Sequence, residues 1–357
     1  MNTFTKAFLP LIFAALSSCL KDKPVKKDYQ GFQPVIRNDG WTISRVYREN
    51  MDSSLVDHAF RLLYNDKRYI MARSLLVIRN GKLVAEAYPH DVNDIDRIAN
   101  VQSITKSFTS ILTGMAIRQK LIDSVNQPLS SIYPEFFASR PEKTGITIKH
   151  ALTMTTGIDF ENGEHTEELY AREGNTVDFV LSRPQKYSPG VVFHYHDGAP
   201  QLVSAAIQKK AGMPFSEFGN THLFKPLGIT DWKWETAKDG NTFGAFSLFL
   251  KPRDLARFGQ LLLQEGNWNG TQLVDSAWIS EAVQAHVNSG EGGGPYGYYF
   301  WIYPAYNSYA AIGHGGQHIM VFPDKDLVLV YTAWGYTSGE YFDSFNEMAD
   351  LLYASCH

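Results

Sequence analysis

Apolar positions along this chain repeat with two different periods, and their order sketches a fold. Between residues 53 and 65, Leu55, Ala59, Leu62 and Leu63 fall at helical spacing. Two β-rich runs follow, Ser74-Leu-Leu-Val-Ile-Arg and Lys82-Leu-Val-Ala-Glu-Ala-Tyr. Asn80-Gly81 separates them, the strongest short-range signal for a hairpin. Ile104, Phe108, Ile111, Leu112 and Met115 then form one apolar stripe of a buried helix. Residues 147–154, 176–181, 201–211, 253–263 and 276–285 predict further helices, with Pro184 stopping the second and Gly212 capping the third. Strands return at 298–303, 309–312, 318–322 and 327–332, the last two about the turn Pro323-Asp-Lys-Asp, and residues 341–353 predict a closing helix. This order predicts an α+β fold: an antiparallel sheet flanked by N- and C-terminal helices, with a mostly helical lobe inserted. The sheet lobe takes roughly residues 41–100 and 241–357, and the helical lobe roughly 101–240.

Length and composition agree with a large core. The chain has 357 residues, 44% hydrophobic and 20% charged, enough for two lobes. A net charge of -4 offers no basic face for nucleic acid. The two cysteines, Cys19 and Cys356, lie at opposite ends and build neither a disulfide framework nor a Cys-rich metal site. At the N-terminus, Lys6 precedes an apolar run from Phe8 to Leu16, too short to span a bilayer, which reads as an export signal over residues 1–18. Leu16-Ser-Ser-Cys19 is similar to the lipobox of bacterial lipoproteins, which implies lipidation of Cys19. Residues 19–40 are expected to be a flexible tether. Membrane contact is then expected only through that lipid, in the bacterial cell envelope, periplasmic or surface-exposed.

Candidate chemistry centres on Ser103, at the first turn of the helix that carries the stripe. Lys106 follows three residues later on the same face. A serine hydroxyl is a poor nucleophile until a nearby group takes its proton, and the positive helix end and an ammonium both favour the alkoxide. A Ser-x-x-Lys pair alone is a weak signal; a second, Ser18-Cys-Leu-Lys21, lies in the export region. Two later stretches strengthen the first: Pro189-Gly-Val-Val-Phe-His-Tyr-His-Asp-Gly, centred on Tyr195, and the Gly-rich Gly313-His-Gly-Gly-Gln-His-Ile.

Together, Ser103/Lys106, Tyr195 and His314-Gly315-Gly316 resemble the three motifs of the serine β-lactamase and penicillin-binding superfamily. The branch is that of class C-like esterases and 6-aminohexanoate-dimer hydrolases. Leu152-Thr-Met-Thr-Thr-Gly-Ile, Leu223-Phe-Lys-Pro-Leu-Gly-Ile, Arg253-Asp-Leu-Ala-Arg-Phe-Gly and Tyr296-Gly-Tyr-Tyr-Phe-Trp agree, so the resemblance runs from about Trp41 to the C-terminus. It implies a β-lactamase/transpeptidase-like fold and a serine hydrolase that needs no cofactor or metal. In such an enzyme Ser103 attacks an ester or amide carbonyl, and Lys106 and Tyr195 share removal of its proton. The Ser103 and Gln317 backbone N–H groups hold the oxyanion, beside Gly315, Gly316 and His314. The expected substrate is a small ester, amide or short peptide. Asp197 stands where the family has asparagine, as a helix cap or as a carboxylate that keeps Lys106 charged. His314 replaces a lysine, which disfavours efficient β-lactam hydrolysis. Lys143-Thr-Gly145 precedes Tyr195 and reads as a loop, and Trp301 is a candidate cleft residue.

Two other readings remain on the sequence. One is a non-catalytic envelope protein binding peptidoglycan or a partner; intact Ser103, Lys106 and Tyr195 speak against it. The other is a zinc hydrolase using His194 and His196 on one side of a strand, although no His-Glu-x-x-His occurs.

Overall fold

The computed structural model describes residues 26–290, 294–334 and 344–357. An eight-stranded antiparallel sheet organises it. In chain order its strands are β1 Ala72–Arg79, β2 Lys82–Ala87, β3 Val287–Asn288, β4 Pro295–Tyr296, β5 Trp301–Tyr303, β6 Ser308–Gly313, β7 Gln317–Phe322 and β8 Leu327–Ala333. Across the sheet they run β2-β1-β8-β7-β6-β5-β4-β3, so the early hairpin joins the late strands through β1 and β8. The β1–β2 turn is of type I′, with positive φ at Asn80 (51°) and Gly81 (72°).

Five helices position the rest: α1 Ser53–Asn65, α2 Ile104–Arg118, α3 Gly198–Ala211, α4 Pro252–Leu263 and α5 Ser344–Ala354. Alternation along β1 sends Leu75 and Val77 to one face and Leu76 and Ile78 to the other. The first face packs under α1 and α5, through Val56, Phe60 and Leu63 and through Met348 and Leu352. The second packs on α2 and α4, and its core continues without a break into the helical segment 101–240. Asp52 caps α1, accepting from Ser54 N at 2.8 Å and Leu55 N at 3.2 Å.

Several expectations shift. Residues 26–40 are no tether: they run along the free edge of β2. Lys27 N donates to Pro89 O at 2.8 Å, Phe32 O accepts from Glu86 N at 2.9 Å, and Phe32 is buried. Covering an open strand edge in this way satisfies its unpaired backbone groups. The strand expected over 298–303 shortens to β5, because Tyr299 takes a φ of +63° and turns the chain. Helix α3 begins at Gly198, three residues before the expected start. Lys143, buried, ends the single turn Pro141–Lys143, and Thr144 and Gly145 follow it in an exposed turn, so this stretch lies in a loop region as expected. Cys19, the export segment and residues 341–343 of the predicted last helix lie outside the described residues.

Candidate active site

Ser103 is placed by a strained approach. The strand Ala99–Asn100 pairs antiparallel with Leu248–Leu250, and Val101 N donates to Leu248 O at 2.8 Å. Gln102 then adopts a φ of +53°, held by its N–H on Asn100 Oδ1 (2.8 Å) and by Thr105 Oγ1 on its carbonyl (2.6 Å). A non-glycine residue in left-handed conformation is costly and recurs where geometry serves function. Ser103 occupies the N-cap position of α2, but its hydroxyl caps nothing. It accepts a hydrogen bond from Lys106 Nζ at 2.7 Å. The Ser103 N–H has no acceptor among the described residues, as is general at a helix start.

Lys106 is fully buried, and all three of its N–H donors are committed. Besides Ser103 Oγ they reach Asp197 Oδ1 at 2.7 Å and Ala245 O at 3.1 Å. Burial acts to lower its pKa. The Asp197 carboxylate, with the Tyr195 phenol, overcomes that and holds the ammonium above its ordinary value. Asp197 stands at the N-cap of α3 without capping it; the carboxylate turns to the lysine instead. Its second oxygen accepts from Thr166 Oγ1 at 2.7 Å, and its N–H donates to Asn162 Oδ1 at 2.9 Å.

Tyr195 is half-buried, its ring face 4.9 Å from Lys106 Nζ. Trp301 stacks on it at 5.9 Å and 26°, and Tyr296 meets it edge-on at 6.3 Å. Trp301 is thus half-buried against the phenol, not deep in the core. Residues 192–196 form a loop rather than a strand. His194 and His196 have ring centroids 5.6 Å apart, but His196 is fully buried with Nε2 on Thr156 Oγ1 at 3.0 Å. Burial, with His194 beside it, pushes His196 down to about 3, so it is neutral at physiological pH. Among the described residues no three His, Cys, Asp or Glu side chains are grouped to hold a metal, which leaves the zinc reading without a donor set.

The third motif is a turn, not a strand. His314 is exposed, and Gly315 and Gly316 join β6 to β7 with φ of 75° and 83°. The glycines serve that left-handed path. The glycine that permits close approach is Gly313: a Cβ there would collide with Val101 O and meet Gln102 Cβ at 3.0 Å. Gln317 starts β7 opposite Gly313; its buried amide donates to Ala333 O at 2.6 Å and Gly315 O at 3.3 Å, fixing the turn.

Sequence reasoning missed Ala245, Asn162, Thr166 and Gly313. The first acts through its carbonyl, which no residue type advertises. Asn162 and Thr166 lie about thirty residues from Asp197 and belong to no motif. Gly313 was in view as the first residue of the third stretch.

The β-lactamase family model matches residues 64–352. Among curated proteins, the 6-aminohexanoate-dimer hydrolase of Paenarthrobacter ureafaciens is 23% identical over 283 residues, covering 72% of this chain and 71% of that one. Among solved structures, a Bacillus anthracis protein provisionally named 6-aminohexanoate-dimer hydrolase superposes with a TM-score of 0.73 at 19% identity, over 90% of this chain and 89% of its own. A family VIII carboxylesterase gives 0.70 at 15% identity, over 87% and 99%. The chain belongs to the β-lactamase family, a group of serine hydrolases that includes esterases and amidases.

Proposed function

We propose that this protein is a serine hydrolase that cleaves small esters, and more slowly amides, through an acyl-enzyme on Ser103. The observation that carries the reading is the Ser103 hydroxyl 2.7 Å from a buried ammonium, itself 2.7 Å from a carboxylate. A charged lysine with three committed donors has no lone pair and cannot be the first proton acceptor. Its work is electrostatic: it stabilises the alkoxide as the proton leaves. Tyr195, its ring face 4.9 Å from the same cation, is then the group left to accept that proton. The carbonyl carbon bonds to Ser103 Oγ, the oxyanion lies against the Ser103 and Gln317 N–H groups, and the proton passes through Tyr195 to the leaving oxygen. Water then cleaves the ester.

The substrate class follows from what surrounds that oxygen. Tyr195 and Trp301, both half-buried, offer aromatic surface, with Tyr296 buried behind them, and the exposed His314 supplies no permanent cation in the third motif. A β-lactam carboxylate gains little there, whereas a neutral ester loses nothing. Amino-acid pattern also supports an envelope lipoprotein anchored at Cys19, which mass analysis of the membrane-extracted protein, with Cys19→Ala as control, would test.

The test of the activity is intact-mass detection of a fluorophosphonate adduct, compared with Ser103→Ala, followed by p-nitrophenyl esters against nitrocefin. Stoichiometric labelling lost in the variant, and ester turnover above nitrocefin turnover, are expected. Equal labelling of both proteins would remove Ser103 from the mechanism, and faster nitrocefin hydrolysis would overturn the argument from His314.

A further inference from the structure

Of the three partners of Lys106, only Ser103 takes part in bond-making. The other two, Asp197 and Ala245, come from separate parts of the chain, and one short helix, Glu164–Ala171, bears on both. Thr166 Oγ1 donates to Asp197 Oδ2, the oxygen that Lys106 does not bind, at 2.7 Å. Just before the helix, Asn162 clamps the same loop, with Oδ1 accepting from Asp197 N at 2.9 Å and Nδ2 donating to Tyr195 O at 3.4 Å. Four residues beyond Thr166, and so on the same helix face, Tyr170 stacks on Phe243 (5.4 Å, 20°) and lies 6.4 Å from Phe246. Those two rings bracket Gly244-Ala245, the source of the third lysine bond.

The arrangement answers a mechanical need. A lysine ammonium rides on a flexible four-carbon stem. A carboxylate bonded through one oxygen can turn about its own axis and carry the ammonium with it. A donor on the second oxygen stops that rotation, and a hydroxyl on an ionised carboxylate makes a short, strong bond.

We propose that the helix Glu164–Ala171 is a positioning element for the active-site lysine. Thr166 acts through Asp197, and Tyr170 through the loop that carries Ala245, to hold the Lys106 ammonium against Ser103. This rests on the serine-hydrolase reading above and adds to it residues that no motif contains. Thr166 does not touch the reacting atoms. Its effect passes through a carboxylate, and that makes it separable from a packing role.

The experiment is a cycle on the full chain: wild type, Thr166→Val, Thr166→Ser, Asp197→Ala and the double variant Thr166→Val/Asp197→Ala. The rate of Ser103 labelling by a fluorophosphonate is followed by intact mass. Thr166→Val is expected to slow labelling about tenfold, the scale of one hydrogen bond to a charged group. Thr166→Ser should restore most of it, and Thr166→Val should cause no further loss once Asp197 is alanine. A Thr166→Val rate within about twofold of wild type, or the same fold loss in both backgrounds, overturns the proposal. If melting shows that the valine variant is unfolded, Thr166→Ala is judged by the same criteria. A second readout needs no activity: the ε-carbon resonance of Lys106 in lysine-labelled protein. It should be single and narrow in wild type and Thr166→Ser, and broadened or split in Thr166→Val. An unchanged resonance in Thr166→Val would likewise sink the idea. A wild type that fails to label but shows this pattern would instead reject the hydrolase reading and leave the positioning role standing.

Discussion

A buried lysine that touches a serine, a carboxylate and a backbone carbonyl is asked to do two things, and substitution separates them. Lys106→Ala removes the cation beside Ser103 and leaves Asp197 almost buried without its partner. Loss of one member of a buried pair costs about 3–5 kcal/mol, so this variant should melt well below wild type. Lys106→Ala/Asp197→Ala should recover part of that loss without recovering activity. Tyr195→Phe keeps the ring stack on Trp301 and deletes only the oxygen, so its melting should stay close to wild type. Each of Lys106→Ala and Tyr195→Phe should slow acylation at least about a hundredfold, measured by stopped flow; a near-normal rate excludes that residue. His196 makes a separate prediction. Its ring binds a proton in the unfolded chain near the ordinary histidine value but in the folded protein only near pH 3. The unfolded state therefore holds more protons between those limits, and stability falls as pH drops through that window. His196→Gln should flatten this part of the stability profile in denaturant titrations from pH 7 to 4.

Elements bring these residues together through one close approach. The end of β6 passes the segment that delivers Ser103, and Gly313 is the residue at contact. Gly313→Ala must push Val101 and Gln102 away, and Gln102 is already held in a left-handed conformation. Labelling of Ser103 should fall at least about tenfold, as expected when a reacting group is displaced by a fraction of an ångström or more; an unchanged rate would show that the approach is looser than described. Elements were also the level at which the sequence was most legible. Asn80-Gly81 named its hairpin, and the stripe from Ile104 to Met115 named α2, because period and turn chemistry are local properties. Tyr298 and Tyr299 misled for a local reason too: β-prone side chains predict a strand, but Tyr299 lies buried at positive φ, its carbonyl accepting from Ser107 Oγ, and the strand starts later. Gly315 and Gly316, expected beside the oxyanion, form the turn between β6 and β7. What the sequence hid were partners joined only by tertiary structure: Thr166 on Asp197, and the Ala245 carbonyl on Lys106.

At the scale of the molecule, residues far apart in the chain lock the sheet. Arg253, at the start of α4, binds Glu86 of β2 through Nε at 3.0 Å and Nη2 at 2.5 Å. It also binds Asp39 at 2.6 Å and Val35 O at 2.7 Å, both in the strap along the β2 edge. That strap lacks apolar periodicity and reads as a tether, because its anchors are single contacts scattered over residues 26–40. Removing it uncovers the Glu86 end of β2, while Thr42 and Ser44 still pair with Leu83, and leaves Arg253 and Glu86 partly unsatisfied. A chain starting at Trp41 should melt several degrees below one starting at Lys26, about the shift that 1–2 kcal/mol produces in a domain of this size. Equal melting would mean that the strap is dispensable to the fold. The division into a sheet lobe and an inserted helical segment was readable from element order. The continuous core that joins them was not, since α2 is buried on nearly all sides and serves both.

The proposed chemistry requires a covalent bond to one oxygen, Ser103 Oγ. Mixing the purified protein with a p-nitrophenyl ester and quenching within the first turnover, then mapping the acyl group by peptide mass, measures that bond directly. A single acyl adduct on Ser103, absent from Ser103→Ala and accumulating far more slowly in Tyr195→Phe, is the predicted result. Ester turnover with no adduct on Ser103, or an adduct on another residue that survives Ser103→Ala, would contradict it.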